Sequence, residues 1–523
     1  MTLEEKVGAM LVYGWSETGS EDATAVNSHA REIVEDMRVG GVVLLGRNVA
    51  DDLSVTVSAF NELQSLSREP LFIIADQEGG MVARFTQGVT VFPSNMALGA
   101  TGRVDHAYEA AAAVARELVA LGVNYNFAPC VDVNNNPDNP IIGTRSYGES
   151  PDMVARFGAA AIRGYQDNGV IACAKHFPGH GDTAVDSHLA LPSVPYPRQR
   201  LDSLELVPFV EAIRSGVSSI MTTHIIFPAL DTGRPATLSP AVITGLLRGE
   251  LGYDGVVVTD CMEMKAIADN FGTAEAAVMA VEAGVDLVLV CHTLSTQREA
   301  REAILKAVID GRITESRLDE SVRRIRALKQ KYRLNDRRFT DFSATRRALR
   351  TPETLRLRDS IAADAVTLVR SEDRTIPLRP EPGQNVLVMG LHSSVKVLAR
   401  AVQDYAGKIE ALELQGEAAD VIRRAEEAAS RADVVIIPTC PNEPWKSPTD
   451  QDLQARLVRT IAASGAAKLI VVAVREPYDL RAFPDVPAYI CAYGYREASC
   501  QAAAAVIFGR AKPTGRLPVT IPL

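Results

Sequence analysis

Cysteine is scarce in this chain and forms no pattern. Seven residues, Cys130, Cys173, Cys261, Cys291, Cys440, Cys491 and Cys500, are scattered over 523 positions. The count is odd and no Cys-x-x-Cys pair occurs, which argues against a disulfide framework or a zinc knuckle. Several lie in apolar, strand-like runs, where a buried reduced thiol is the ordinary state, so a reducing, cytoplasmic setting is expected. No apolar run reaches the ~18 residues of a membrane span. The opening MTLEEKVGAMLVYGW has early acids and a short apolar stretch, unlike a signal peptide. Positive charge is not in excess either: 55 Lys and Arg face 65 Asp and Glu, a net −10. A polyphosphate backbone is therefore not an expected partner.

What is present is ample apolar material, 47% of residues, enough for more than one core. Eight short apolar runs recur in the first ~340 residues: Val7–Tyr13, Val42–Leu45, Leu71–Ala75, Val123–Phe127, Ile171–Ala174, Ser219–Thr222, Val256–Thr259 and Leu287–Val290. Amphipathic segments separate them, such as His106–Leu121 and Pro151–Asn168. Alternation of this kind implies right-handed βαβ units and a parallel sheet, and eight units suggest a closed (β/α)8 TIM-type barrel. Ser321–Tyr332 reads as the closing helix. The stretch Arg333–Glu353, rich in Arg, Asp and Thr, lacks periodicity and reads as a linker. Four further apolar runs follow, Val386–Met389, Val434–Pro438, Leu469–Val474 and Ala488–Ala492, with helical patterns such as Glu417–Ala429 between them. The expected organisation is an α/β chain: a barrel over 1–335, a linker over 336–353, and a smaller C-terminal α/β sandwich domain over 354–523.

Chemistry in a parallel barrel is done at the C-terminal ends of strands. Here the candidate strands run into Asp76, into Lys175 and His176, to His224 and into Asp260. Charged strand ends converging on one rim are hard to explain by packing, because buried charge needs a partner. The segment Lys175–Pro192 adds His180, Asp182, Asp186 and His188. His176 and His180 have a spacing that suggests metal binding, but Phe177-Pro178-Gly179 between them opposes the helix that would align the rings. No metal or other cofactor is expected. Asp186 and His188 flank Ser187, and in an extended loop both point the same way. A carboxylate so placed can orient an imidazole for general acid–base work, although an exposed loop histidine fits the same spacing.

KHFPGHGDTAVDSHLALP resembles the signature of glycoside hydrolase family 3 β-N-acetylglucosaminidases. DQEGGMVARF, NPDNPIIGTRSYG and VVTDCMEM are similar to three further motifs of that family, in the same order. The tail GRAKPTGRLPVTIP resembles the close of the family's second domain. The resemblance implies a retaining exo-β-N-acetylglucosaminidase of the two-domain type, acting on cell-wall fragments (peptidoglycan turnover) or chitin oligosaccharides. It assigns Asp260 as nucleophile and His188, partnered by Asp186, as acid/base. It assigns Asp76, Arg84, Arg145, Lys175 and His176 to sugar hydroxyls; Met221 and His224 fit either the acetamide pocket or an ordinary strand-end role, and Arg84 also fits a salt bridge within its own loop. With Trp15 and Trp445 as the sole tryptophans, a long stacking platform is not expected, and a short pocket suits the chain better. A small carbohydrate is thus the expected ligand. Three other functions fit the same scaffold: a β-N-acetylglucosaminide phosphorylase, a family β-glucosidase, and a non-catalytic sugar-binding protein.

Overall fold

A computed structural model describes residues 1–183, 191–379, 381, 383–440, 449–465 and 467–523. Its first half is a parallel barrel of eight short strands: β1 (Leu11–Tyr13), β2 (Gly41–Val43), β3 (Phe72–Ala75), β4 (Tyr125–Asn126), β5 (Ile171–Phe177), β6 (Ser219–Thr222), β7 (Val256–Val258) and β8 (Val288–Val290). Neighbours in sequence pair in order from β1 to β7, and β8 pairs with β1. A parallel bridge, Val258 to Leu287, closes the seam between β7 and β8. The strands are Val- and Ile-rich and buried on both faces, as helix-covered parallel sheets require.

The expected first strand is too long. Thr2 and Glu5 form a reciprocal capping box, Thr2 Oγ1 accepting from Glu5 N at 3.3 Å and Glu5 Oε2 from Thr2 N at 3.1 Å. Leu3–Ala9 is therefore helical, and only Leu11–Tyr13 enters the sheet. Val7 and Met10, three apart, are both fully buried, so the apolar run has a helical reading as well.

The second domain is a six-stranded sheet rather than the four strands expected. Its strands are β9 (Thr367–Ser371), β10 (Asn385–Gly390), β11 (Lys408–Glu413), β12 (Val434–Thr439), β13 (Lys468–Ala473) and β14 (Ala488–Cys491). They lie in the order β9-β14-β13-β12-β10-β11, with β9 the one antiparallel member. The two unforeseen strands are the edges. β11 reads KIEALE and is largely exposed, so it lacks the apolar run that marks a covered strand. Separate apolar cores cover the two sheet faces.

The segment 336–353 runs along the barrel. Thr340 N donates to Asn61 Oδ1 at 2.9 Å, Thr345 Oγ1 to Ala120 O at 2.7 Å, and Arg350 N to Glu117 Oε1 at 2.8 Å. Met96, Ala97 and Ala100, on the barrel helix Asn95–Thr101, belong to one of the second domain's cores. Ser94 Oγ donates to Tyr493 O at 2.8 Å and Asn134 Nδ2 to Tyr478 Oη at 2.9 Å. The second domain is thereby held beside the mouth of the barrel.

Candidate active site

The C-terminal ends of the barrel strands open into a cavity of about 610 Å³, within the ~300–1,000 Å³ usual for small-molecule sites. Asp76, Arg84, Arg145, Lys175, His176, Met221 and Asp260 all line it. His224 stands one layer behind. Its Nε2 donates to the carbonyl of Cys261 at 3.0 Å and its Nδ1 lies 2.8 Å from Thr237 Oγ1. That contact fixes the backbone next to Asp260. Asp186 and His188 lie outside the described residues, as does most of the 439–452 loop.

One wall of the cavity is a charge network built from β3, β5 and two loops. Lys175 Nζ bridges Asp76 Oδ1 at 2.8 Å and Glu78 Oε1 at 2.7 Å. Arg84 pairs with Asp76 at 2.8 Å, and Arg145 grips Glu78 through two contacts at 3.0 and 2.8 Å. Bidentate pairing of this kind fixes orientation as well as charge. Burial alone would raise both carboxyl pKa values. Lys175 and Arg84 outweigh it at Asp76, holding that group well below the usual range. Arg145 and Lys175 do the same at Glu78, lowering it to about 2. Lys175 is in turn driven above its ordinary value by Asp76 and Glu78, against burial. The wall therefore presents fixed anions and cations together, which matches hydroxyl groups that both donate and accept.

Behind it, Asp132 organises the histidine loop. Its Oδ1 accepts from the backbone N–H of His176 at 3.2 Å and of His180 at 2.7 Å, and its Oδ2 from His176 Nδ1 at 2.7 Å. Arg145 approaches His176 Nε2 at 3.3 Å, and a guanidinium can only donate. The ring proton of His176 is thereby assigned to Nδ1. Burial lowers His180 to about 4, helped by the neighbouring His176. The loop passes close to the segment after β4: a Cβ on Gly181 would lie 1.7 Å from Val133 O, so only glycine fits. Asp182 pairs with Arg200 at 3.0 Å and accepts from Asn135 at 2.7 Å.

Asp260 lines the same cavity, two residues past β7 and half-buried, with its Oδ1 accepting from Cys261 N at 2.7 Å. Cys261, Glu263, Cys291 and His292 line it as well. Sequence reasoning missed Glu78, Asp132 and Arg475. Glu78 stood in plain view inside DQEGG, two residues past a strand-end aspartate. Asp132 follows the β4 motif and touches no solvent. Arg475 comes from the second domain, just after β13, and lines the cavity. Nothing in its local sequence separates it from any loop arginine.

Residues 2–328 match the glycosyl hydrolase family 3 N-terminal domain and residues 366–523 its C-terminal domain. The chain is 33% identical to "Beta-hexosaminidase A" of Pseudoalteromonas piscicida, over 95% of this chain and 92% of that one. It is 31% identical to "Beta-N-acetylglucosaminidase/beta-glucosidase" of Cellulomonas fimi, over 93% and 89%. Among solved structures, a glycoside hydrolase family 3 beta-N-acetylglucosaminidase from Paenibacillus sp. str. FPU-7 superposes with a TM-score of 0.90 at 40% identity, covering 100% of this chain and 99% of the other. The two-domain architecture, the strand-end cavity and these matches agree: the chain belongs to glycosyl hydrolase family 3 and is a glycoside hydrolase.

Proposed function

We propose that the protein is a retaining exo-β-N-acetylglucosaminidase in which Asp260 is the nucleophile and His188, oriented by Asp186, is the acid/base. The observation that carries this reading is that Asp260 lines the same cavity as the Asp76–Lys175–Glu78–Arg145 network and follows β7, four strands round the barrel from β3, which runs into Asp76. A terminal sugar held by that network through its hydroxyls presents its anomeric carbon to the Asp260 carboxylate. Asp260 sits just past a barrel strand, and Cys261 N–H and the His224–Cys261 contact hold its backbone, which suits a nucleophile that must not wander. Attack on the anomeric carbon forms a glycosyl–Asp260 ester while the leaving oxygen takes a proton from His188. The same ring then removes a proton from water, which cleaves the ester. Imidazole titrates near neutrality and can do both. Met221 on the cavity wall supplies an apolar surface for an acetamide methyl. The relatives named as hexosaminidases and N-acetylglucosaminidases support the substrate class.

A panel of aryl β-glycosides, assayed with and without phosphate, tests the reading. It expects turnover of the β-N-acetylglucosaminide well above the β-glucoside, and free sugar as product in both buffers. Sugar 1-phosphate as the main product would instead make the protein a phosphorylase, and no turnover on any glycoside would make it a binding protein. The His188→Ala variant tests the proton donor. It should lose ~10²–10⁴-fold on poor leaving groups and far less on acidic phenols. Equal losses on both would assign the proton to another group.

A further inference from the structure

The seam that closes the barrel brings together two thiols and an imidazole that hydrolysis does not use. Cys261 is the residue after Asp260, beyond β7. Cys291 and His292 follow β8 directly. The strands meet at the Val258–Leu287 bridge, and Met262 N donates to Leu289 O at 2.9 Å, so these two strand ends run side by side. One ligand atom from each of Cys261, Cys291 and His292 lies within 4.8 Å of the others. The two cysteines are buried and the histidine is exposed, and all three line the cavity.

The group is also held in place from outside. Both oxygens of Glu263 are occupied by backbone N–H groups, of His292 at 2.6 Å and Thr293 at 3.0 Å. Arg47 donates to His292 Nδ1 at 3.0 Å and to Cys291 O at 3.3 Å, while its Nε is anchored on Trp15 O at 3.0 Å. A second buried cluster, Cys130 with Asp132 and His176, has the right atoms but spends them on the hydrogen bonds of the histidine loop. The seam cluster's atoms bond chiefly one another, Cys261 with Cys291 and His292, and Arg47 reaches His292 Nδ1, so a cation displaces these contacts rather than those that hold a catalytic loop.

We propose that Cys261, Cys291 and His292 form a binding site for a thiophilic divalent cation, zinc by its ligand set, and that filling it arrests hydrolysis. Two sulfurs and one nitrogen are a donor set that zinc favours over hard cations. Tetrahedral zinc with bonds of ~2.0–2.3 Å needs its ligands about 3.5 Å apart, so a 4.8 Å limit leaves side-chain adjustment of about an ångström. On binding, the two thiols release their protons to solvent as they become thiolates. The fourth position faces the cavity. A cation there stands beside Asp260, whose Oδ1 is already bonded to Cys261 N, and engages the carboxylate that must attack the sugar. Hydrolysis then stops until the metal leaves. The site departs from the expectation of no zinc knuckle and no metal, because Cys261 and Cys291 are distant in sequence and meet only where β7 and β8 close the barrel.

The test uses the full chain, stripped with a chelator and kept reduced. Cobalt(II) is titrated first as a spectroscopic stand-in, then zinc is titrated against hydrolysis of an aryl glycoside. The expected result is a thiolate-to-cobalt charge-transfer band that saturates at one equivalent, and zinc inhibition that EDTA reverses. Cys291→Ser should abolish the band, and His292→Gln, a change at an exposed position, should weaken it. Each should raise the inhibitory zinc concentration at least ~10-fold relative to the variant's own metal-free rate. Absence of the band in the wild-type chain would overturn the proposal. So would inhibition of equal strength in the wild type and both variants, which would place the metal on other groups. The cobalt band requires no turnover, so it decides the matter even if the substrate assignment fails.

Discussion

Two sets of buried acids, one in each domain, are treated in opposite ways. In the barrel, Asp76, Glu78 and Asp132 each meet a cation or several N–H donors, and each is held well below the ordinary carboxyl range although burial pushes the other way. In the second domain, burial raises Glu476, and it raises Asp479 to about 7. Glu476 Oε1 meets a single cation, Arg475 Nε at 3.2 Å, too little to offset burial, while Glu476 Oε2 and Asp479 Oδ2 have no hydrogen-bond partner among the described residues. Both belong to the segment that docks on the barrel. Tyr478 accepts from Asn134 there, and a Cβ on Gly143, a residue at φ +42°, would fall 2.4 Å from Glu476 Oε1. Partners, rather than depth, thus decide whether a buried acid is charged. The barrel wall holds its acids ionised through paired cations, and burial in the docking segment favours the protonated forms of Glu476 and Asp479.

The comparison breaks most sharply at Glu78. Glu78→Ala leaves Lys175 and Arg145 short of a buried counter-charge, which should cost about 3–5 kcal/mol of stability, with a large fall in kcat/KM. Denaturant unfolding checks it; a loss below about 1 kcal/mol would mean the pairs are no better than surface ones.

Asp479 should show the opposite sign. Its folded pKa lies above its unfolded one, so its contribution is full below the unfolded value of 3.8 and is lost as pH rises through about 7. The shift corresponds to at most about 4 kcal/mol at ~1.36 kcal/mol per pH unit. Asp479→Asn should therefore flatten the fall in melting temperature between about pH 4 and 7; an unchanged slope there would remove the residue from this role.

His180 limits the acid side. Its folded pKa of about 4 lies below the ordinary imidazole value of 6.5, so its contribution is full above 6.5 and is lost as pH falls through about 4. That is worth about 3 kcal/mol. His180→Gln should remove that part of the acid slope, read by melting temperature between those limits.

The smallest effect belongs to the exposed Arg481–Asp138 pair, at 2.6 Å, which also joins the domains. Exposed pairs contribute ~0–1 kcal/mol, so Arg481→Ala should barely shift the unfolding midpoint. A large loss would show that surface charge, and not the buried core around Met96, Ala97 and Ala100, holds the domains together.

Much of this was legible in the sequence, for identifiable reasons. A strand end is a short-range feature, so Asp76, Lys175 and Asp260 could be placed on one rim from apolar runs alone. The barrel followed from eight such runs. Glu78 and Asp132 were not singled out because their roles depend on Arg145, Lys175 and His176 arriving from other strands. Arg475 comes from another domain, and no local pattern reports that. His224 looked like a cavity residue because it ends a strand, but the chain passes Thr222 before reaching it and turns the ring toward Thr237 and Cys261. β11 escaped notice because an edge strand needs no apolar run.

The central claim is that Asp260, in the same cavity as the paired-charge wall, forms the covalent link to the sugar. The direct measurement is the intact mass of the protein after incubation with a fluorinated glycoside bearing a good leaving group, followed by peptide mapping. The account predicts one added glycosyl mass, carried by the peptide containing Asp260 and absent in Asp260→Asn. A glycosyl group on any other residue, or rapid turnover by Asp260→Asn, would contradict it.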